Sequence, residues 1–212
     1  TAAQLVALEG PGFVDQPEAV AVARCRAFAI ASQRREQDEL LRDFGVVFDV
    51  ASSEQSLYDS GRVEATLRLL ASKGLTYEAE GALWLRTTQF GDDKDRVLRK
   101  GDGTYTYLAP DIAYHVDKYA RGFEHLIDVW GADHHGYIPR MRAVLVALGH
   151  PGSSFEVPLV QLVRVIKGGE EVKMSKRAGN FVTLRDLLDD VGTDAARYFF
   201  LMRRGDTPFA FD

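Results

Sequence analysis

Residues 105–166 read YTYLAPDIAYHVDKYARGFEHLIDVWGADHHGYIPRMRAVLVALGHPGSSFEVPLVQLVRVI, and this stretch decides the fold class. Three β-prone runs, 105–108, 126–130 and 157–166, alternate with two helical runs, 110–121 and 137–148, that end at Gly122 and Gly149. Glycine suits the left-handed position just past a helix, and strands alternating with helices of roughly 10–15 residues imply βαβ units on a parallel sheet. The expectation is an α/β chain with a Rossmann-like parallel sheet.

Working outward, the same alternation brackets that stretch. Pro17 opens an alanine-rich helical run that Gly45 closes, 46–50 reads as a short strand, and 62–73 reads as a helix before Gly74. Residues 75–104 hold paired β-prone runs around 78–81 and 101–103, the pattern of a small antiparallel β insertion. Downstream, Thr183 and Asp186 have capping-box spacing before a helix that Gly192 ends, and 194–203 reads as a last, C-terminal helix.

Composition narrows the class. With 212 residues, 46% hydrophobic and 27% charged, the chain is close to the globular average, so disorder, collagen and coiled coil are excluded. Its longest apolar stretches, such as 19–23 and 157–160, fall far below the roughly 18 residues of a spanning helix, so no membrane partner is expected. A net charge of −5 argues against a surface wrapped in nucleic acid. The single cysteine, Cys25, allows neither an internal disulfide nor a cysteine-based zinc site, which fits a reducing cytoplasm. The chain opens on Thr1 with no basic and apolar leader, and it reads as a piece of something longer.

In an open parallel sheet, ligands bind beyond the carboxyl ends of the strands. Three loops fall there: 107–111, 131–137 and 168–180. The third is glycine-hinged and basic: between Arg164 and Arg185 lie six basic and two acidic residues, a local +4, while the remainder of the −5 chain carries −9. Lysines on such a loop can follow phosphate charge as it moves during a reaction. In the second loop, Asp133 reads equally as a helix N-cap or as an acid on a ribose. Adjacent His134 and His135 point in different directions with no ligand at i+3 or i+4, so no zinc centre is expected. In the first, Tyr107 and Asp111 read either as a strand aromatic and a first-turn acid, or as a pocket for a cation.

The string Lys173-Met174-Ser175-Lys176 matches the KMSKS signature of class I aminoacyl-tRNA synthetases, with Arg177 in place of the final serine. Together with 130–137, WGADHHGY, 91–98, GDDKDRVL, and 107–113, YLAPDIA, it resembles the bacterial-type arginyl-tRNA synthetases across nearly the whole chain. That resemblance implies a ligase that activates L-arginine with ATP and Mg²⁺ and passes it to tRNA(Arg), as a cytoplasmic monomer without a structural metal. It assigns Lys176 and Lys173 to catalysis. ATP contacts fall to Gly131, Asp133, His134, Met174, Ser175 and the same two lysines, and arginine binding to Tyr107 and Asp111.

The resemblance also implies an organisation. Residues 1–74 would be part of the catalytic domain, 75–104 its insertion, 105–192 the second half of the nucleotide-binding fold, and 193–212 the start of a stem region. The family's second signature, His-x-Gly-His, is not among these residues; His134-His135-Gly136-Tyr137 ends on the wrong residue and stands too late. Two other readings carry weight: a non-catalytic tRNA-binding or regulatory relative, and a class I synthetase for another amino acid such as cysteine. A dinucleotide oxidoreductase does not fit, because no Gly-x-Gly-x-x-Gly follows a strand. Expressed alone, the 212 residues are expected to show no arginine-dependent pyrophosphate exchange, and detectable exchange would overturn that expectation.

Overall fold

A computed structural model of the chain describes residues 2–172 and 182–211. In chain order it contains α1 (Ala2–Glu9), α2 (Glu18–Asp43), α3 (Glu54–Asp59), α4 (Arg62–Ser72), β1 (Thr76–Ala79), β2 (Ala82–Leu85), β3 (Arg96–Arg99) and α5 (Leu108–Ala120). There follow β4 (Leu126–Ile127), β5 (Trp130–Gly131), α6 (Ile138–Leu148), β6 (Phe155–Glu156), β7 (Leu159–Val160), β8 (Val163–Lys167), β9 (Glu170–Glu171), α7 (Leu184–Val191), α8 (Thr193–Leu201) and β10 (Phe209–Phe211). Contacts divide the chain into two compact units, Thr1–Val50 with Lys167–Met202, and Ala51–Ile166 with Arg203–Asp212. No helix among the described residues is long and apolar enough to cross a membrane.

The first unit is helical. None of the 26 residues of α2 is fully buried. Near its start Arg24 pairs with Glu9 of α1 at 2.6 Å. At its other end Arg197 of α8 donates to the Phe44 carbonyl at 2.7 Å, and Arg185 of α7 pairs with Asp43 at 3.0 Å. Arginines there satisfy carbonyls that a helix leaves open and complement its dipole. Gly45 has φ +78, and a Cβ there would meet Arg197 Nη1 at 3.0 Å, so the turn requires glycine. The capping box before α7 is formed as its spacing predicts: Asp186 N–H donates to Thr183 Oγ1 at 3.1 Å, and Thr183 N–H to Asp186 Oδ2 at 2.8 Å. The strand expected over 46–50 does not form; Val47, Phe48 and Val50 are exposed and have no ladder to join.

The second unit holds the hydrophobic core. Leu57 of α3, Val63, Leu67 and Leu70 of α4, and Leu108, Ala109, Ile112 and Ala113 of α5 pack with Met141, Val144 and Leu145 of α6. Against them lies the antiparallel sheet β1-β2-β3, which contributes Leu85 and Leu98. Gly81 at φ +73 turns β1 into β2 beside Glu80, the only non-glycine residue with positive φ among the described residues.

The parallel sheet is more fragmentary than the alternation implies. β4 pairs with β6, β5 with β7, and β8 with β10, all parallel, as separate small ladders rather than one continuous sheet among the described residues. Leu126 faces Phe155 and Gly131 faces Val160 at one constant offset, so the first two pairs form a single ribbon interrupted near Pro158. Proline has no N–H to give to a ladder. The Pro158 carbonyl still accepts from Trp130 N–H at 3.1 Å, which keeps the register across the gap.

Residues 105–108 are also not a strand: Tyr105 makes only an isolated bridge to Arg99, and α5 begins at Leu108. Burial of Leu108 and Ala109 in the core explains the earlier start, and Pro110 is tolerated because the first turn needs no intrahelical N–H donor. Replacing the fully buried Leu70 by alanine should destabilise the unit by about 3 kcal/mol, read as a lower urea midpoint at unchanged slope.

Candidate active site

One face of α5 is buried, and its helical periodicity places Asp111, Tyr114, His115 and Lys118 on a neighbouring stripe. That stripe lines a cavity of about 500 Å³, closed by Asp128 and Trp130 from the parallel ribbon and by His134 and Tyr137 from the turn Ala132–Tyr137. A smaller recess of about 210 Å³, bordered by Ser53, Glu54 and Leu57, also reaches Asp111 and Tyr114.

The charges are arranged unevenly. Asp128 Oδ2 faces His115 Nε2 at 2.8 Å, and Asp128 Oδ1 accepts from Lys118 Nζ at 2.8 Å. Burial opposes charge on Asp128, but the hydrogen bonds from His115 and Lys118 outweigh it and hold the carboxyl below the usual range. The buried His115 also sets Nδ1 2.7 Å from the Asp111 carbonyl, so its ring is pinned at both nitrogens. Asp111 differs: among the described residues its carboxylate has no cationic partner, and Oδ2 accepts from the Tyr137 hydroxyl at 2.8 Å. A carboxylate without a cationic partner among the described residues, on a cavity also lined by Tyr107, Tyr114, Trp130 and Tyr137, has the chemistry to accept a cation with a flat face.

Of the residues singled out from sequence, Tyr107, Asp111 and His134 come together on this cavity. Tyr107 stands at the start of α5 and is 88% exposed, so it borders the cavity from its mouth. Gly131 and Asp133 do not line it. Asp133 is exposed, 3.7 Å from His134 Nε2, and its Oδ1 lies 2.6 Å from where a Cβ on Gly131 would stand. His135 is exposed and does not line it either. Lys173, Met174, Ser175 and Lys176 lie outside the described residues.

The sequence reading does not single out Tyr114, His115, Lys118, Asp128, Trp130, Tyr137 or Met141 as site residues. A signal was available for part of this set, since Asp111, Tyr114, His115 and Lys118 follow one another at i, i+3, i+4 and i+7.

Comparison with known proteins defines the class first. The family described as "tRNA synthetases class I (R), catalytic domain" matches residues 20–201, and the chain belongs to it. At the level of individual relatives, the arginine–tRNA ligase of Geobacillus kaustophilus is 53% identical over 203 residues, covering 96% of this chain and 36% of that protein. That of Aquifex aeolicus is 62% identical over 167 residues, covering 79% of this chain and 29% of that protein. A crystal structure from Campylobacter jejuni assigned as an arginyl-tRNA synthetase superposes with a TM-score of 0.88 at 40% identity, covering the whole of this chain and 45% of that one. The chain thus spans little more than a third of the length of the curated relatives it matches.

Asp128→Asn should destabilise the unit by about 2 kcal/mol near neutral pH, because His115 and Lys118 lose their shared anion. The folded state holds this carboxyl below its unfolded value, so its contribution is present above about pH 4 and lost as pH falls further. Chemical unfolding of wild type and variant at pH 7 and pH 3 should therefore show the difference shrinking at acid pH.

Proposed function

We propose that the chain is part of an arginine–tRNA ligase, and that the cavity on α5 receives the arginine side chain. The observation that carries the reading is Asp111, an acid without a cationic partner among the described residues, in a pocket walled by aromatic rings. A guanidinium presents a planar fork that pairs two N–H groups with two carboxylate oxygens, and its face packs on aromatic rings. Cysteine, the alternative amino acid, offers a thiol that has no use for an unpaired carboxylate. Identity of about half to three fifths with arginine–tRNA ligases supports the same substrate.

The reaction then runs in two steps. A carboxylate oxygen of arginine attacks the α-phosphorus of ATP, the bond to the β-phosphate oxygen breaks, and pyrophosphate leaves. A terminal ribose hydroxyl of tRNA(Arg) next attacks the carbonyl carbon of the adenylate, losing its proton as AMP departs. Asp111 and Tyr107 hold the side chain in place during both steps. Gly131 and Asp133 would meet the adenosine ribose, through close backbone approach and a carboxylate that accepts from two hydroxyls, with His134 beside them. Lys173 and Lys176 would stabilise the charge that develops on the departing phosphates, with Met174 and Ser175 shaping their loop.

Among the described residues no group of three or more His, Cys, Asp or Glu side chains could hold a metal ion. A Mg²⁺ accompanying ATP would draw its ligands from phosphate oxygens and water, the usual pattern for that ion, and no step here depends on it.

The organisation read from sequence belongs to the same proposal. Residues 105–192 would be the second half of a Rossmann-like nucleotide-binding fold and 75–104 an insertion into it. Residues 1–74 would belong to the same catalytic domain, and 193–212 would begin a stem. The parallel pairs β4–β6 and β5–β7 and the antiparallel sheet β1-β2-β3 support this reading. A cytoplasmic monomer accompanies it.

In the full-length protein, Lys176→Ala should lower kcat for arginine activation by roughly 10²–10³-fold with little change in arginine KM. Asp111→Ala should instead raise arginine KM by a comparable factor. Pyrophosphate exchange measures both, and equal effects on both parameters in both variants would reject the division of roles.

A further inference from the structure

We propose that Tyr137 is a positioning residue of the arginine pocket, its hydroxyl fixing the plane of the Asp111 carboxylate through a 2.8 Å hydrogen bond to Oδ2. The proposal rests on the reading of Asp111 as the acid that meets the guanidinium. Tyr137 ends the turn Ala132–Tyr137, while Asp111 lies in the first turn of α5, so this bond joins two of the loops that the sequence assigns to ligand binding.

The geometry suits that task. The torsion that orients a carboxylate has broad, shallow wells, so an unsupported Asp111 would have to be ordered by the ligand itself. One donor on Oδ2 removes that freedom and leaves Oδ1, with the second lone pair of Oδ2, for the two N–H groups of a guanidinium. A phenol orients the acid without neutralising it; lysine or arginine in its place would compete with the substrate cation. Burial first, and then the charge of Asp111, push the Tyr137 hydroxyl well above its ordinary value, so it remains a donor at any physiological pH.

The ring of Tyr137 is itself held. Trp130 packs against it with centroids 5.7 Å apart, and the Arg140 guanidinium stands 4.8 Å from its centroid. These contacts act on the ring and survive loss of the hydroxyl, so Tyr137→Phe removes the hydrogen bond while keeping the packing.

The test is a double-mutant cycle in the full-length protein with Tyr137→Phe, Asp111→Asn and the pair, measured by pyrophosphate exchange and thermal melting. Tyr137→Phe is expected to raise arginine KM about 10-fold, as for loss of one hydrogen bond to a charged group, leaving ATP KM and Tm unchanged. In the Asp111→Asn background the same substitution should have no further effect on arginine KM. An unchanged arginine KM, an additive effect in the pair, or a joint rise of both KM values with a lower Tm would each overturn the positioning role. An Asp111→Asn variant with unaltered arginine KM would instead overturn the reading of the pocket, and the proposal with it.

Discussion

The site depends on the burial of one face of α5. Leu108, Ala109, Ile112 and Ala113 are all nearly inaccessible to water, packed with α3, α4 and α6. Four side chains in two turns fix both the rotation of the helix about its axis and its depth. Once that rotation is set, Asp111, Tyr114, His115 and Lys118 can occupy only the adjacent stripe. The cavity is therefore a by-product of core packing as much as of any polar contact. Burying Leu108 and Ile112 is worth roughly 1.5 to 3 kcal/mol each, comparable with the net value of a hydrogen bond to one of the charged groups beside them.

On that fixed stripe the charges are sorted by partner. Asp128 is spent on His115 and Lys118. Asp111, three residues before Tyr114 and four before His115, is given a neutral donor instead. Two carboxylates within one cavity thus have different surroundings, cations for one and a phenol for the other. His115 links them, touching the Asp111 carbonyl with one ring nitrogen and the Asp128 carboxylate with the other. Of the two carboxylates on the cavity, only that of Asp128 is paired with cationic side chains among the described residues.

Much of this was legible in the order of residues. The α5 and α6 helices follow from apolar spacing and their closing glycines, and the capping box before α7 from the spacing of Thr183 and Asp186. Tyr107, Asp111 and His134, candidates by sequence, meet on one cavity. The strand expected over 105–108 was not legible in the same way. Its aromatic alternation has strand character, but tertiary burial of Leu108 and Ala109 draws the segment into the helix. The apolar run 46–50 likewise carries a strand's composition without a ladder to join, and composition alone cannot provide a pairing partner.

By itself, then, the sequence determined the local periodicities, the caps, and the strings that resemble one synthetase family, because each depends on residues within a few positions of one another. Only the tertiary structure decided that Tyr137, remote in the chain from Asp111, is the group that holds it, and that Asp128 is already committed to a histidine and a lysine. Those facts depend on how two loops and a parallel ribbon close over α5. The closure is set by packing between segments far apart in the chain, a constraint that no local pattern encodes.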